Sequence, residues 1–148
     1  MRRGGKGRSP PVLRVVIDTN VLVSSVFGGK PNEVVKLWRD QQLVLCLSDE
    51  IVAEYLEVLA RFGDVRQELL EFLATLSQSQ NAVFVVPGDH IQVVVADPED
   101  DKFLECAVAA GAQAIVSGDR HLLDLGQFRG ILIMAPAAFL AWFRARQA

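Results

Sequence analysis

VVIDTNVLVSSVFGG, residues 15–29, is the segment from which the architecture follows. An apolar run ends on Asp18, Thr19 and Asn20, a helix-like stretch comes next, and the Gly28–Gly29 pair stops it. With the residues before it, PVLRVVID (11–18) predicts a strand buried on both faces, which suits a parallel sheet covered by helices. The theme returns at AQAIVSGD (112–119), a second apolar strand that delivers an aspartate.

Between and beyond these two, helical and extended patterns alternate. PNEVVKLWRDQQ (31–42) predicts a helix with Pro31 at its start, and LVLCL (43–47) a strand. SDEIVAEYLEVLARFG (48–63) is a helix capped by Ser48 or Asp49 and ended by Gly63. DVRQELLEFLATLSQSQ (64–80) is another, with Asp64 and Gln67 spaced as a capping box. AVFVVP (82–87) reads as a strand, while GDHIQVVVA fits either strand or loop. DPEDDKFLECAVAAG (97–111) is a helix with Asp97 as cap and Pro98 in first position. GILIM (130–134) is a strand and PAAFLAWFRARQA an amphipathic helix. The alternation predicts an α/β fold with a mostly parallel sheet. Such sheets bind ligands just beyond the carboxyl ends of their strands, where Asp18 and Asp119 both stand.

The totals agree with a folded chain. At 148 residues, 51% hydrophobic and 22% charged, residues 11–148 are long enough to bury one substantial core as a single domain. MRRGGKGRSP (1–10) carries +4 of a net −3, so residues 11–148 hold −7, and its basic, Gly-rich composition predicts a disordered arm. No apolar run reaches the ~18–20 residues of a membrane span, and no apolar signal core follows the basic start. A cytoplasmic protein without a membrane partner is expected. Cys46 and Cys106 lack metal-ligand spacing and read as buried, reduced thiols.

The acids carry the chemistry. Helix 48–63 offers Glu50, Glu54 or Glu57, and helix 97–111 opens with Asp97, Glu99, Asp100 and Asp101. Taken singly, each has an ordinary duty as a cap, a first-turn acid or a solvated surface group. Together with Asp18 and Asp119 they form a cluster that repels itself: unit charges ~4 Å apart cost ~4 kcal/mol at an effective dielectric of ~20. Such a pocket takes up protons or a cation, and all-oxygen ligands favour Mg²⁺ or Mn²⁺ over zinc. A hard cation among carboxylates suits phosphodiester hydrolysis by an activated water.

Three blocks, VVIDTNVLVSS, SDEIVAEYLEVL and DPEDDKFLECAVAAGAQAIVSGDRHLL, occur in an order that resembles the PIN-domain family, and within it the bacterial and archaeal toxins of toxin–antitoxin pairs. The resemblance runs from about residue 12 to residue 142. It implies a three-layer α/β/α sandwich around a short, mostly parallel four- or five-stranded sheet, and a Mg²⁺- or Mn²⁺-dependent endoribonuclease. Carried onto this chain, the catalytic and metal-binding acids are Asp18, Glu54, Asp100 and Asp119. Asp101 is an adjacent alternative to Asp100, Asp97 an outer ligand, and Asn20 and Ser117 supporting polar residues. The implied partners are an RNA substrate, an antitoxin protein, and further copies of the chain in a homodimer or higher oligomer.

In one place the chain departs from the group's pattern. GDRHLL puts His121 where a further acid is usual, so His121 either weakens a second metal position or lies on the surface of the following turn. Arg120 beside it is a candidate phosphate contact, and His90 reads as structural. Two other readings compete. One is a PIN-fold binding protein that cleaves little and engages RNA or an antitoxin. The other, a haloacid-dehalogenase-like phosphatase, requires DxD, whereas this chain has Asp18-Thr19-Asn20.

Overall fold

The computed structural model describes residues 12–61, 66–88, 91 and 98–147. The basic arm, Asp64 of the capping box, His90, nearly all of the ambiguous GDHIQVVVA segment and Asp97 lie outside those residues.

The expected alternation is present. β1 (Leu13–Ile17) leads into α1 (Thr19–Ser25) and α2 (Gly29–Arg39), then β2 (Leu43–Leu47), α3 (Asp49–Ala60), α4 (Arg66–Gln78) and β3 (Ala82–Phe84). A 3-10 turn at Pro98–Asp100 opens α5 (Asp101–Ala110), followed by β4 (Ala114–Val116) and α6 (Arg120–Leu125). β5 (Gln127–Phe128), β6 (Ile131–Met134) and α7 (Pro136–Gln147) complete the described chain.

The sheet order is β3-β2-β1-β4-β6-β5, parallel except for β5. It holds six strands rather than four or five. The sixth is the two-residue β5, joined to β6 by Arg129 and Gly130, both at positive φ (51° and 83°). That is the backbone of a tight two-residue hairpin, and two residues are too few to show a period of their own. Val15, Val16 and Ile17 are buried in succession, as are Ala114, Ile115 and Val116. Because side chains alternate faces along a strand, both sides of the central strands must be covered. α5 packs against β1, β2 and β4, while α2 and α7 pack on each other and on β2 and β6. The architecture is therefore α/β, with helices flanking a mostly parallel sheet.

Local chemistry explains the element ends. α1 is capped by Asp18, whose Oδ1 accepts from Val21 N at 3.0 Å. Ser48, not Asp49, caps α3 by accepting from Ile51 N. Helix α2 starts at Gly29, so Pro31 sits within its first turn, and Gly28 and Gly29 supply positive φ at the junction with α1. Tyr55 on α3 is wholly buried and its hydroxyl donates to the carbonyl of Ile17, tying α3 to the end of β1. No helix among the described residues is long and apolar enough to cross a membrane.

Candidate metal centre

From β1 the chain proceeds through β2 to β3 on one side of the sheet, and later fills the other side with β4 and β6. The strand order therefore reverses between β1 and β4, and a crevice opens at such a switch point. Ile17 pairs with Val116, which puts Asp18 and Ser117 side by side at the carboxyl ends, with Asp119 two residues on. Asp18 N donates to Val116 O at 3.0 Å.

A cleft of about 350 Å³ lies there, with Asp18, Glu54, Glu57, Glu99, Asp100 and Asp119 as its acids. Four elements supply the principal ones: the end of β1, α3, the 3-10 turn before α5, and the turn after β4. Asn20 also lines the cleft, as do Thr19, Arg61 and Phe103. Ser117 stands behind the wall. Its hydroxyl donates to Asp18 Oδ2 and accepts from Asp119 N at 2.9 Å, so one side chain orients both strand-end aspartates. Asp101 is buried in the first turn of α5 but does not line the cleft, and Glu50 lines a separate depression beside Glu105.

Asp18 and Asp119 are each held by neighbours. Asp18 is 3% exposed, and burial pushes its carboxyl above the usual range, with the charge of Asp119 adding to the rise. The bonds from Ser117, Val21 and Asn20 oppose that shift. Asp119 Oδ1 accepts from His121 N at 2.7 Å and Leu122 N at 3.3 Å, capping α6. One oxygen of Asp100, one of Asp119 and one nitrogen of His121 lie within 4.8 Å of one another. His121 Nδ1 is 3.6 Å from Asp119 Oδ1 with its side chain 45% exposed, so it sits at the edge of the cleft beside the acids.

Two participants escape a reading of the sequence. Thr19 Oγ1 donates to Glu54 Oε2, and Lys102 Nζ lies 2.7 Å from Glu54 Oε1. The signal for Lys102 was a lone cation two residues after Asp100 within an acidic run. No spacing rule says that it meets Glu54, 48 positions earlier in the chain.

The donor set fits a hard divalent cation. Its oxygens are carboxylate, with one imidazole at the margin. Six acids face the cleft against Arg61 and Lys102, and Arg61 is itself paired with Glu57 at 2.9 Å. Among the described residues Asp100, Asp119 and His121 bring ligand atoms close enough together to share an ion, and Asp18 and Glu54 line the same cleft.

A family model described as PIN domain matches residues 14–121, well over half of the chain. No curated protein matches it.

Proposed function

The chain belongs to the PIN-domain family, and on that premise we propose that it is a Mg²⁺- or Mn²⁺-dependent endoribonuclease that hydrolyses RNA phosphodiester bonds in the cleft between β1 and β4. The observation that carries the reading is the convergence of Asp18, Glu54, Asp100 and Asp119, from four separate elements, on one crevice at the switch point of the sheet. An RNA phosphate is an anion, and an acidic crevice repels it unless a cation stands between them. Asp18, Glu54, Asp100 and Asp119 would hold such an ion, which would offset the negative charge and supply Lewis-acid activation of water.

The chain's own side chains do the positioning. Ser117 and the amide of Val21 fix the orientation of Asp18, and the amides of His121 and Leu122 fix that of Asp119. These bonds leave the rotamers of both carboxylates set before substrate arrives, which is the preorganisation that catalysis requires. Exposed Arg120 beside Asp119, and Arg61 on the rim once released from Glu57, are the candidate contacts for phosphates of the bound strand.

In the same reading the protein is the toxin of a toxin–antitoxin pair and acts in the cytoplasm as a homodimer or higher oligomer, restrained by an antitoxin protein. Unpaired Cys46 and Cys106 are compatible with a reducing compartment. Among the described residues Val12, Phe27, Leu70, Phe84 and Val86 are the exposed large apolar side chains available to protein partners. A second reading, a PIN-fold protein that binds more than it cuts, is favoured by one feature: Lys102 already engages Glu54.

Cleavage of end-labelled RNA with Mg²⁺, Mn²⁺ or EDTA, beside the Asp18→Asn variant, separates the two. Fragments that require the ion and vanish in the variant support the nuclease. Identical traces from wild type and variant would remove the enzyme claim.

A further inference from the structure

We infer that Lys102 is a built-in counter-cation that competes with the divalent ion for Glu54, and so sets the ion concentration at which the cleft loads. The inference rests on the metal-dependent reading above and concerns what this chain's own lysine does to it.

Both oxygens of Glu54 are engaged by the protein. Oε2 accepts from Thr19 Oγ1, and Oε1 takes Lys102 Nζ at 2.7 Å. The lysine side chain is only 10% exposed and that of Glu54 26%, so solvent screens the pair weakly. An ammonium and a divalent ion on the same carboxylate oxygen would be like charges in near contact, in a place where water attenuates their repulsion poorly. One must leave for the other to bind.

Lys102 has somewhere to go. Its ammonium also donates to the backbone carbonyl of Glu99 at 2.8 Å and lies 3.7 Å from Glu99 Oε1. The Glu99 side chain is 85% exposed at the cleft rim, so a short outward swing keeps the ammonium partnered while it clears Glu54. Such a swing needs only side-chain rotation, because the backbone of α5 stays packed on the sheet. Two cations that each bind the same acid are thermodynamically linked. If Lys102 lowers the affinity for the ion, the ion lowers the hold on Lys102 by the same factor.

Two measurements test this on the full chain with Mn²⁺ as the probe. In titration calorimetry, Lys102→Met and Lys102→Gln should bind Mn²⁺ at least about fivefold more tightly than wild type, the lower end of ordinary site-to-site coupling. In the unaltered protein, an amine-acylating reagent read by mass spectrometry should label Lys102 slowly without Mn²⁺ and faster at saturation. Equal or weaker affinity in both variants, or labelling of Lys102 that does not speed up with Mn²⁺, overturns the competition. The labelling arm stands even where a variant fails to fold. Asp18→Asn separates the premise from the inference. Should that variant bind Mn²⁺ as wild type does, the ion sits elsewhere and the metal-centre reading fails, whatever Lys102 does. No binding by any form removes both.

Discussion

Replacing Asp18 by asparagine should uncouple stability from ion binding, with opposite signs in the two conditions. Asp18 is buried, and burial together with the charge of Asp119 raises its carboxyl above 3.8. The folded state therefore holds that proton more tightly than the unfolded state does. Stability from this group is fully present at low pH and is lost as pH rises through the raised folded-state value. At pH 7 the ionised side chain is a cost that asparagine removes. The substitution also keeps the helix cap, because asparagine accepts from the Val21 amide as well as aspartate does. Alanine would forfeit the cap, at about 0.5–2 kcal/mol, and blur the comparison.

In EDTA at neutral pH, Asp18→Asn should then melt at or above wild type. With ion at about 100 times its Kd, wild type gains ~2.7 kcal/mol by mass action. For a chain of this size that is a Tm increase of about 5–11 °C, and the variant should show little of it. Differential scanning calorimetry with Mn²⁺ and with EDTA, at pH 7 and again near pH 4, measures both effects. An equal Mn²⁺ upshift in the two proteins would refute Asp18 as a ligand. A variant that melts well below wild type in EDTA at both pH values would refute the reasoning from its buried charge.

Three more outcomes are expected. Ser117→Ala removes a bond that lowers the Asp18 carboxyl, so Mn²⁺ binding followed by calorimetry should require a higher pH than in wild type. Tyr55→Phe deletes the buried donor to the Ile17 carbonyl and should cost about 1–3 kcal/mol in urea denaturation, with β1 still carrying Asp18 into the cleft. Cys46 and Cys106 are buried, with thiols pushed up to about 11 and about 12, so neither should react with a thiol-specific disulfide reagent at pH 8 until denaturant is added.

Most of the element pattern was legible along the chain because it rests on local chemistry. Consecutive apolar residues at 15–17, the Ser48 cap, the apolar stripe of α5 and the αL glycine at Gly111 each act within a few residues. A strand that ends on an aspartate, met twice, was enough to anticipate a cleft at the carboxyl edge. The two-residue β5 was not legible, because its signal is a pair of positive φ angles at Arg129 and Gly130 rather than a period.

The sequence by itself determined which residues could act: the acids, their places at strand and helix ends, and an α/β frame to hold them. Only the tertiary structure decided which of them meet. Ser117 reaches Asp18 across 99 positions because β1 and β4 pair in parallel with Ile17 opposite Val116. Asp100 faces the cleft while Asp101 does not, since the 3-10 turn before α5 aims neighbouring side chains differently. Lys102 closes on Glu54 because α3 and α5 pack together. Caps and periods are fixed by neighbours along the chain, whereas pairings between distant side chains depend on strand order and helix packing, which no local stretch encodes.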